Sequence, residues 1–413
     1  MNKRSFIILC LLCVAAFGAS AYEELPARYD GSMMPLNLAE AQSLREVAPD
    51  SLKPVMINYV ARHGARYLSS AKKISVLRSA FKDAEKARTI TDRGRRFILL
   101  LDSVEAVTAN RWGALNTLGI EEQQVLASQM RDLCPELMNK GSVQAIATYV
   151  PRVVMSMYEF CHTLCRLSPD LGISTSEGKR FSPLLRFFDT DTAYAAYLKK
   201  GDWKEICNRY QEERVPPEPA RRLLGGCYGK DSKRYRELTM AIYGVLQSLR
   251  AASLPAPGTE WMSVKEYEQC WRVANLEHCL RRTTTPLSNL PTQSAKVLLR
   301  SIIGALDSAG MPGSPVAILR FGHAETLMPL FDLMKLPGCV PAPKTPYDEI
   351  YKSWQDYEVV PLGANLLIVT LRGASGKLYI CMRLNGRWVA PLSNGRKVIP
   401  YTELKAFWQA ITE

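Results

Sequence analysis

The residues best suited to chemistry lie close together at 62–66, where Arg62, His63 and Arg66 surround a single glycine, Gly64. They directly follow an apolar run, 55–60, that is typical of a buried strand. Arginine suits phosphate, because its planar guanidinium donates two parallel hydrogen bonds and keeps its charge. A neutral imidazole beside such arginines can attack phosphorus. We attribute Gly64 to a close approach of the backbone to a phosphate.

Two further segments place reactive residues after apolar runs. Arg152 follows a weaker strand candidate at 142–148, and His323 and Glu325 follow a strong one at 315–321. In open α/β sheets, ligands bind beyond the carboxyl ends of the strands, where helix N-termini add backbone donors. Glu325 is the carboxylic acid that could protonate a leaving oxygen.

Each of these residues also has a purely structural interpretation. Arg62 and Arg66 could form surface salt bridges, and Arg152 could be a solvated helix residue. His63 could be a structural histidine, and Glu325 could simply favour a helix dipole. The His-Ala-Glu segment lacks further ligands at metal-binding spacing, so no metal is predicted. Convergence at three strand ends favours a functional site over these alternatives.

The elements that position these residues follow from the periodicity of apolar residues. The three apolar runs predict parallel strands, and helical spacing follows each of them, which indicates an α/β core. Residues 365–392 predict antiparallel strands with a two-residue hairpin turn at Asn385-Gly386. The predicted helices of the core are 71–107, 121–138, 153–167 and 324–335.

The chain divides by composition into three parts. Residues 1–21 have basic residues, an apolar run and small residues at the end, which predicts a cleaved signal peptide and a periplasmic or secreted protein, outer-membrane vesicles included. Residues 22–169 and 301–413 are assigned to a discontinuous α/β catalytic core. Residues 170–300 have helical spacing and little strand character, which predicts an inserted helical domain.

The net charge favours anionic partners. The chain carries 53 basic and 40 acidic residues, a net charge of +13. Removal of Lys3 and Arg4 with the signal peptide leaves 51 basic residues against 40 acidic, or +11. Such a charge suits polyphosphorylated small molecules, nucleic acid or acidic glycans, and does not choose among them.

The motifs together resemble the histidine acid phosphatases, the branch of the histidine phosphatase superfamily that includes phytases. The resemblance covers nearly all of the mature chain, in order. The His-Ala-Glu pattern is similar to that of the multiple inositol polyphosphate phosphatases. The segments that carry the resemblance are RHGARYL (62–68), RWGALNTLG (111–119), ATYVPRVVMS (147–156), LRFFD (185–189) and GHAE (322–325).

The resemblance implies a phosphoglycerate-mutase-like α/β core with a mostly parallel sheet, an inserted helical domain, and hydrolysis without a metal or cofactor. His63 would be the phosphorylated nucleophile. Glu325 would protonate the leaving oxygen and activate the hydrolytic water. The transferring phosphoryl group would be bound by Arg62, Arg66, Arg152 and His323.

Three departures from the family pattern bear on this reading. Leu68 replaces the signature proline and Asn116 the usual threonine, and neither change touches a catalytic atom. Ala324-Glu325 replaces the aspartate that follows the histidine in most phytases. The longer acid, one residue later, predicts relaxed positional specificity on inositol polyphosphates such as phytate.

Substrate-pocket residues are expected from the helical insert, with Lys179, Arg180 and Arg186 as candidates, although a surface-exposed position is as compatible with each. A broad acid phosphatase or a sugar phosphatase could use the same catalytic residues. A basic module that binds acidic polymers is the non-enzymatic alternative. The arginines converge on one histidine, which suits a single phosphate better than a polymer, so no nucleic-acid partner is predicted.

Overall fold

The computed structural model describes residues 22–413, and the predicted signal peptide lies outside them. In the described part, eight strands form one mixed sheet. The strands are β1 Lys53–Arg62, β2 Gly141–Ala147, β3 Leu171–Glu177, β4 Ala317–Gly322, β5 Asn365–Arg372, β6 Leu378–Leu384, β7 Arg387–Val389 and β8 Val398–Pro400.

The helices flank and extend this sheet. Short 3-10 turns connect several of them. The α-helices are α1 Lys72–Lys86, α2 Asp92–Thr108, α3 Thr117–Leu133, α4 Pro151–Leu167, α5 Ser182–Leu185, α6 Phe187–Thr190, α7 Thr192–Lys200, α8 Trp203–Arg214, α9 Glu218–Leu224, α10 Ser232–Leu246, α11 Val264–Arg282, α12 Leu290–Asp307, α13 Ala324–Leu333, α14 Asp356–Val359 and α15 Tyr401–Thr412. Between residues 22 and 413, no helix has the length and apolar character needed to cross a membrane.

The sheet has a parallel half and an antiparallel half. Its order is β3-β2-β4-β1-β5-β6-β7, with β8 paired to β6. Pairings among β3, β2, β4 and β1 are parallel, and the others are antiparallel. The register aligns Arg62 with Gly322 and Ala147 with Phe321, so the carboxyl ends of β1, β4 and β2 lie side by side. The predicted α/β class is confirmed, as is the hairpin turn between β6 and β7.

Apolar layers cover both faces of the sheet. Ile57 and Leu319 pack with Leu126 of α3 and Phe160 of α4 on one face. On the other face, Val60 belongs to a larger buried cluster that includes α12, α13 and α15. The same cluster takes in α1, α2, α10 and α11, so the helical part of the chain shares its core with the sheet.

Three predicted boundaries are corrected. Residues 171–177, assigned to the helical insert, form β3 and pair with β2, and their alternation of partly buried and exposed residues suits an edge strand. The boundary at 300/301 falls inside α12, which is one continuous helix. The predicted helix 71–107 is two helices, because Arg88 has a positive φ of 58° and the Thr91 hydroxyl caps a new helix by accepting from Gly94 N.

Candidate active site

His63 stands directly beyond the end of β1 with its imidazole buried. Its Nδ1 lies 2.9 Å from the carbonyl oxygen of Gly64. A carbonyl only accepts, so Nδ1 carries the proton and Nε2 keeps its lone pair. Burial, followed by the charges of Arg62, Arg152 and Arg66, holds the pKa of His63 well below its usual value. The imidazole is therefore neutral and has the tautomer that a nucleophilic Nε2 requires.

The loop that carries His63 is held against helix α3. Ala65 N donates to the Glu122 carboxylate at 2.6 Å, and Gly64 N donates to the Ser156 hydroxyl at 3.2 Å. A Cβ on Gly64 would meet the carbonyl oxygen of Gly119 at 2.5 Å. The structure thus gives a different reason for Gly64 from the one inferred from sequence. The close approach of the neighbouring helix, rather than of a phosphate, leaves no room for a side chain at this position.

Arg62 and Arg66 are anchored to backbone carbonyls. Arg62 Nη1 donates to Ser32 O at 2.5 Å and to Val360 O at 2.6 Å, and Arg66 Nη1 donates to Tyr67 O at 2.9 Å. Carbonyl partners fix the position of a guanidinium but leave its charge uncompensated. Both side chains are therefore held in place with their charge available to an anion.

Arg152, in the first turn of α4, completes what we call the arginine cluster: Arg62, Arg66 and Arg152. Burial, together with repulsion from the other arginines, lowers the pKa of Arg62 to about 10 and that of Arg66 to about 9. Burial also lowers the pKa of Arg152, although the charge of Glu325 opposes this. The Nε atoms of all three are buried without a hydrogen-bond partner among the described residues. The mutual repulsion of these guanidiniums favours a bound anion among them.

His323 lies between the end of β4 and the start of α13, and its ring centroid is 5.9 Å from that of His63. Its Nε2 accepts from Arg186 Nη1 at 2.8 Å and from the Thr148 hydroxyl at 3.1 Å. An arginine only donates, so the ring proton must be on Nδ1. Burial lowers the pKa of His323 to about 3, against the opposing charge of Glu325. His323 is thus a neutral hydrogen-bond donor beside the arginine cluster.

Glu325 lies in the first turn of α13 with its side chain 40% exposed. Its closest ion-pair partner is Arg282, whose Nη2 is 3.9 Å from Oε1. Partial loss of hydration raises the pKa of the carboxyl, but the positive charge of Arg282 outweighs this effect, and the net pKa is well below the usual value. Glu325 is therefore a carboxylate in the unliganded protein.

The predicted pocket residues have different surroundings. Arg186 reaches the site, where it contacts His323 and also pairs with Asp189. Lys179 is exposed, with Nζ 5.9 Å from the ring of Tyr149, which Arg186 also approaches at 5.3 Å. Lys179 therefore borders the site.

Arg180 is exposed and donates to the Ser176 hydroxyl, and no contact joins it to His63, His323 or the arginine cluster among the described residues.

Two of the three departures from the family pattern, Leu68 and Asn116, lie in the scaffold. Leu68 is buried, and its carbonyl accepts from Gly113 N at 2.7 Å. Asn116 caps α3 by accepting from Gly119 N at 3.0 Å, and its amide donates to Ala251 O at 2.6 Å. A threonine could serve as the cap, but it lacks the second donor.

Sequence reasoning missed three residues of the site. Thr148 hydrogen-bonds His323, Glu122 holds the His63 loop, and Arg282 faces Glu325. The sequence signal for Arg282 was its place beside Arg281 at the end of a helical pattern. Adjacent residues of a helix point in different directions, so one of the two arginines was expected to face another part of the protein.

The fold is that of the histidine acid phosphatases. Among solved structures, the chain is similar to the multiple inositol polyphosphate phosphatase of Bifidobacterium longum in complex with inositol hexasulfate, with a TM-score of 0.78, 17% identity and coverage of 92% of this chain and 97% of that one. The phosphate complex of that enzyme gives a TM-score of 0.75 at 17% identity, covering 94% and 98%. The phytase from D. castellii gives 0.68 at 12% identity, covering 93% and 85%. No family model and no curated protein matches the sequence.

Proposed function

We propose that this chain is a histidine acid phosphatase that hydrolyses the phosphomonoesters of inositol polyphosphates such as phytate. One observation carries the proposal. A buried neutral histidine, with its Nε2 lone pair unprotonated, stands beside three arginines, two of which are held by backbone carbonyls that leave their charge uncompensated. Such a site is suited to holding a phosphoryl group and attacking its phosphorus.

The reaction has two steps. In the first, Nε2 of His63 forms a bond to phosphorus while the bond to the ester oxygen breaks, and Glu325 in its protonated form gives that oxygen a proton. In the second, the Glu325 carboxylate takes a proton from water, which attacks the phosphohistidine and releases phosphate and a neutral imidazole. The arginine cluster and the Nδ1 proton of His323 stabilise the charge of the transferring group in both steps.

Glu325 must gain a proton before the first step. A bound phosphate adds negative charge beside it and compensates the arginines that hold its pKa low. Substrate binding therefore raises the pKa of Glu325 toward the range in which a carboxylic acid can act. The pH range of turnover is a property of the enzyme–substrate complex.

Polyphosphorylated inositol is favoured as the substrate by charge beyond the arginine cluster. Arg186 and Arg282 add two guanidiniums around His323 and Glu325, and the mature chain is basic overall. The crystallised inositol hexasulfate complex of the B. longum enzyme agrees with this class of ligand for the fold. The His-Ala-Glu arrangement supports relaxed positional specificity, with several phosphates of the ring attacked.

The same proposal covers location and domain organisation. Residues 1–21 direct the protein to the periplasm or the exterior, outer-membrane vesicles included. The helical segment between β3 and α12 acts as a cap on the α/β core, to which it contributes Arg186 and Arg282.

The decisive experiment compares His63→Ala with His162→Ala. His162 is an exposed histidine of α4 that stacks on Tyr158, so it serves as a matched control. We expect the first variant to release no phosphate from phytate while unfolding like the wild type, and the second to be fully active. Substantial turnover by His63→Ala would refute the proposal.

The same assay decides the substrate class. Phytate and glucose phosphate are compared at equal concentration. Preference for glucose phosphate would indicate a sugar phosphatase, and comparable turnover of both would indicate a broad acid phosphatase.

A further inference from the structure

Arg282 is a rigidly held charge at the edge of the site. It is the last residue of α11, and its side chain is only 8% exposed. The guanidinium lies over the ring of Phe188 at 5.4 Å, and Nη1 donates to the Tyr194 hydroxyl at 3.3 Å. Its neighbour Arg281 instead forms an ordinary helix-surface ion pair with Glu277. Arg282 is thus positioned by packing toward the catalytic residues.

The contact between Arg282 and Glu325 is an ion pair without a hydrogen bond. The distance from Nη2 to Oε1 is 3.9 Å, beyond hydrogen-bond range. Within the described chain, Nη2 of Arg282 has no hydrogen bond to any other group. Arg282 therefore stabilises the charge of Glu325 while it keeps donors for a better acceptor.

We propose that Arg282 is a specificity-determining residue that keeps Glu325 ionised until a second phosphate of the substrate binds the Arg282 guanidinium. This inference rests on the proposed function, because it concerns the proton that Glu325 gives to the leaving oxygen. The second phosphate belongs to the same inositol ring as the transferring one. The ligand class is therefore an ester with neighbouring phosphates.

The exchange follows from charge and geometry. A phosphate dianion carries more charge than a carboxylate and accepts two parallel hydrogen bonds from a guanidinium. When this phosphate binds the Arg282 guanidinium, Glu325 loses its counter-charge and acquires a negatively charged neighbour. Glu325 then takes up one proton from solvent, and gives it to the leaving oxygen as the phosphorus–oxygen bond breaks. An ester with a single phosphate leaves the ion pair intact, so Glu325 is protonated in a smaller fraction of the complexes and its leaving oxygen receives a proton more slowly.

Of the groups around Glu325, Arg282 is the one that distinguishes substrates. The arginine cluster binds the transferring phosphoryl group of every substrate, and His323 and Tyr194 are neutral. The effect of these groups on Glu325 is therefore the same for esters with one phosphate and for esters with several. The titratable groups that act on Glu325 are Arg282, Tyr194, Arg62, Arg66, Arg152 and His323.

The test compares Arg282→Gln with Arg281→Gln, which removes the same charge from the adjacent residue. kcat/KM is measured for phytate, inositol monophosphate and nitrophenyl phosphate, with the pH dependence of kcat for the monophosphate. For Arg282→Gln we expect phytate kcat/KM to fall at least about tenfold, as for a lost charged hydrogen bond. Monophosphate turnover should persist or rise, and its alkaline limb should move up by about one pH unit. Arg281→Gln should resemble the wild type.

Equal losses on phytate and monophosphate, with an unchanged pH profile, would overturn the inference, because a merely structural arginine would act in that way. Arg282→Lys guards against misfolding of the glutamine variant. Lysine keeps the charge but not the fork, so phytate kcat/KM should fall while the monophosphate pH profile stays in place. A shifted profile in Arg282→Lys would also overturn the inference.

The outcomes separate this inference from the proposed function. A wild-type protein that cleaves none of the three esters refutes both. One that cleaves nitrophenyl phosphate and phytate through His63, but whose preference for phytate over the monophosphate survives Arg282→Gln, refutes the inference alone.

Discussion

The contact between Gly119 and the loop that carries His63 makes a sharp prediction. A Cβ added to Gly119 would lie 2.8 Å from Ala65 N, 2.7 Å from the Leu115 side chain, and closer still to Ala65 O. Ordinary contact begins near 3.4 Å, so the loop would have to retreat by more than about 0.6 Å. Because the loop is hydrogen-bonded to Glu122 on the same helix, that shift moves His63 relative to the arginine cluster.

We expect Gly119→Ala to lower kcat/KM for phytate by about 10- to 100-fold, since displacements approaching 1 Å are costly to catalytic geometry. Overpacking should also reduce the free energy of unfolding by about 1–3 kcal/mol. The assays are phosphate release and urea unfolding.

Gly304→Ala is the matched control, because Gly304 also lies in a helix, α12, where an added Cβ meets nothing within 4 Å. It should gain about 0.5–1 kcal/mol from helix propensity and keep its kinetics. Wild-type kcat/KM in Gly119→Ala would refute the reasoning, because it would show that this contact does not position His63.

Two further predictions concern carboxyl groups. Glu325→Gln should lower turnover of phytate by about 10²- to 10⁴-fold but affect nitrophenyl phosphate less, since its leaving group needs no proton, and equal losses would argue against an acid role. Burial raises the pKa of Glu122 to about 7 from a usual 4.5. As pH rises, the carboxyl therefore ionises in the unfolded chain at a lower pH than in the folded protein. Stability should therefore fall as pH rises from 4.5 to 7, by up to roughly 3 kcal/mol from this group. Urea unfolding of Glu122→Gln should show a smaller pH dependence, and an unchanged one would contradict the assignment.

The sequence was most informative where local pattern and sheet topology agree. Strands β1 and β4 are largely apolar, and parallel strands align their carboxyl ends, so the meeting of Arg62 and His323 could be predicted from the sequence. Strand β3 was missed because its partly exposed edge position removes the apolar run. The break between α1 and α2 was missed because Thr91 caps a helix inside a continuous helical pattern.

The site residues that the sequence did not predict were missed for one physical reason. Arg282 and Glu122 act through contacts with residues 43 and 57 positions away in the chain, Glu325 and Ala65. No local spacing records such a contact. Arg180 and Arg186 illustrate the same limit, because the two lie on one short segment and only Arg186 turns toward His323.

The position of β1 between β4 and β5 also governs how the protein can fold. Arg62 is paired in register with Gly322, 260 residues later, and the other edge of β1 is closed by β5 near the C-terminus. Most of the chain must therefore be made before the strand that leads into His63 finds either neighbour, and this non-local pairing is a slow event that exposes an apolar strand meanwhile. The arginine cluster comes into being only at that late stage, so a phosphate ion that bound only the assembled cluster would stabilise the completed fold over every partly folded form.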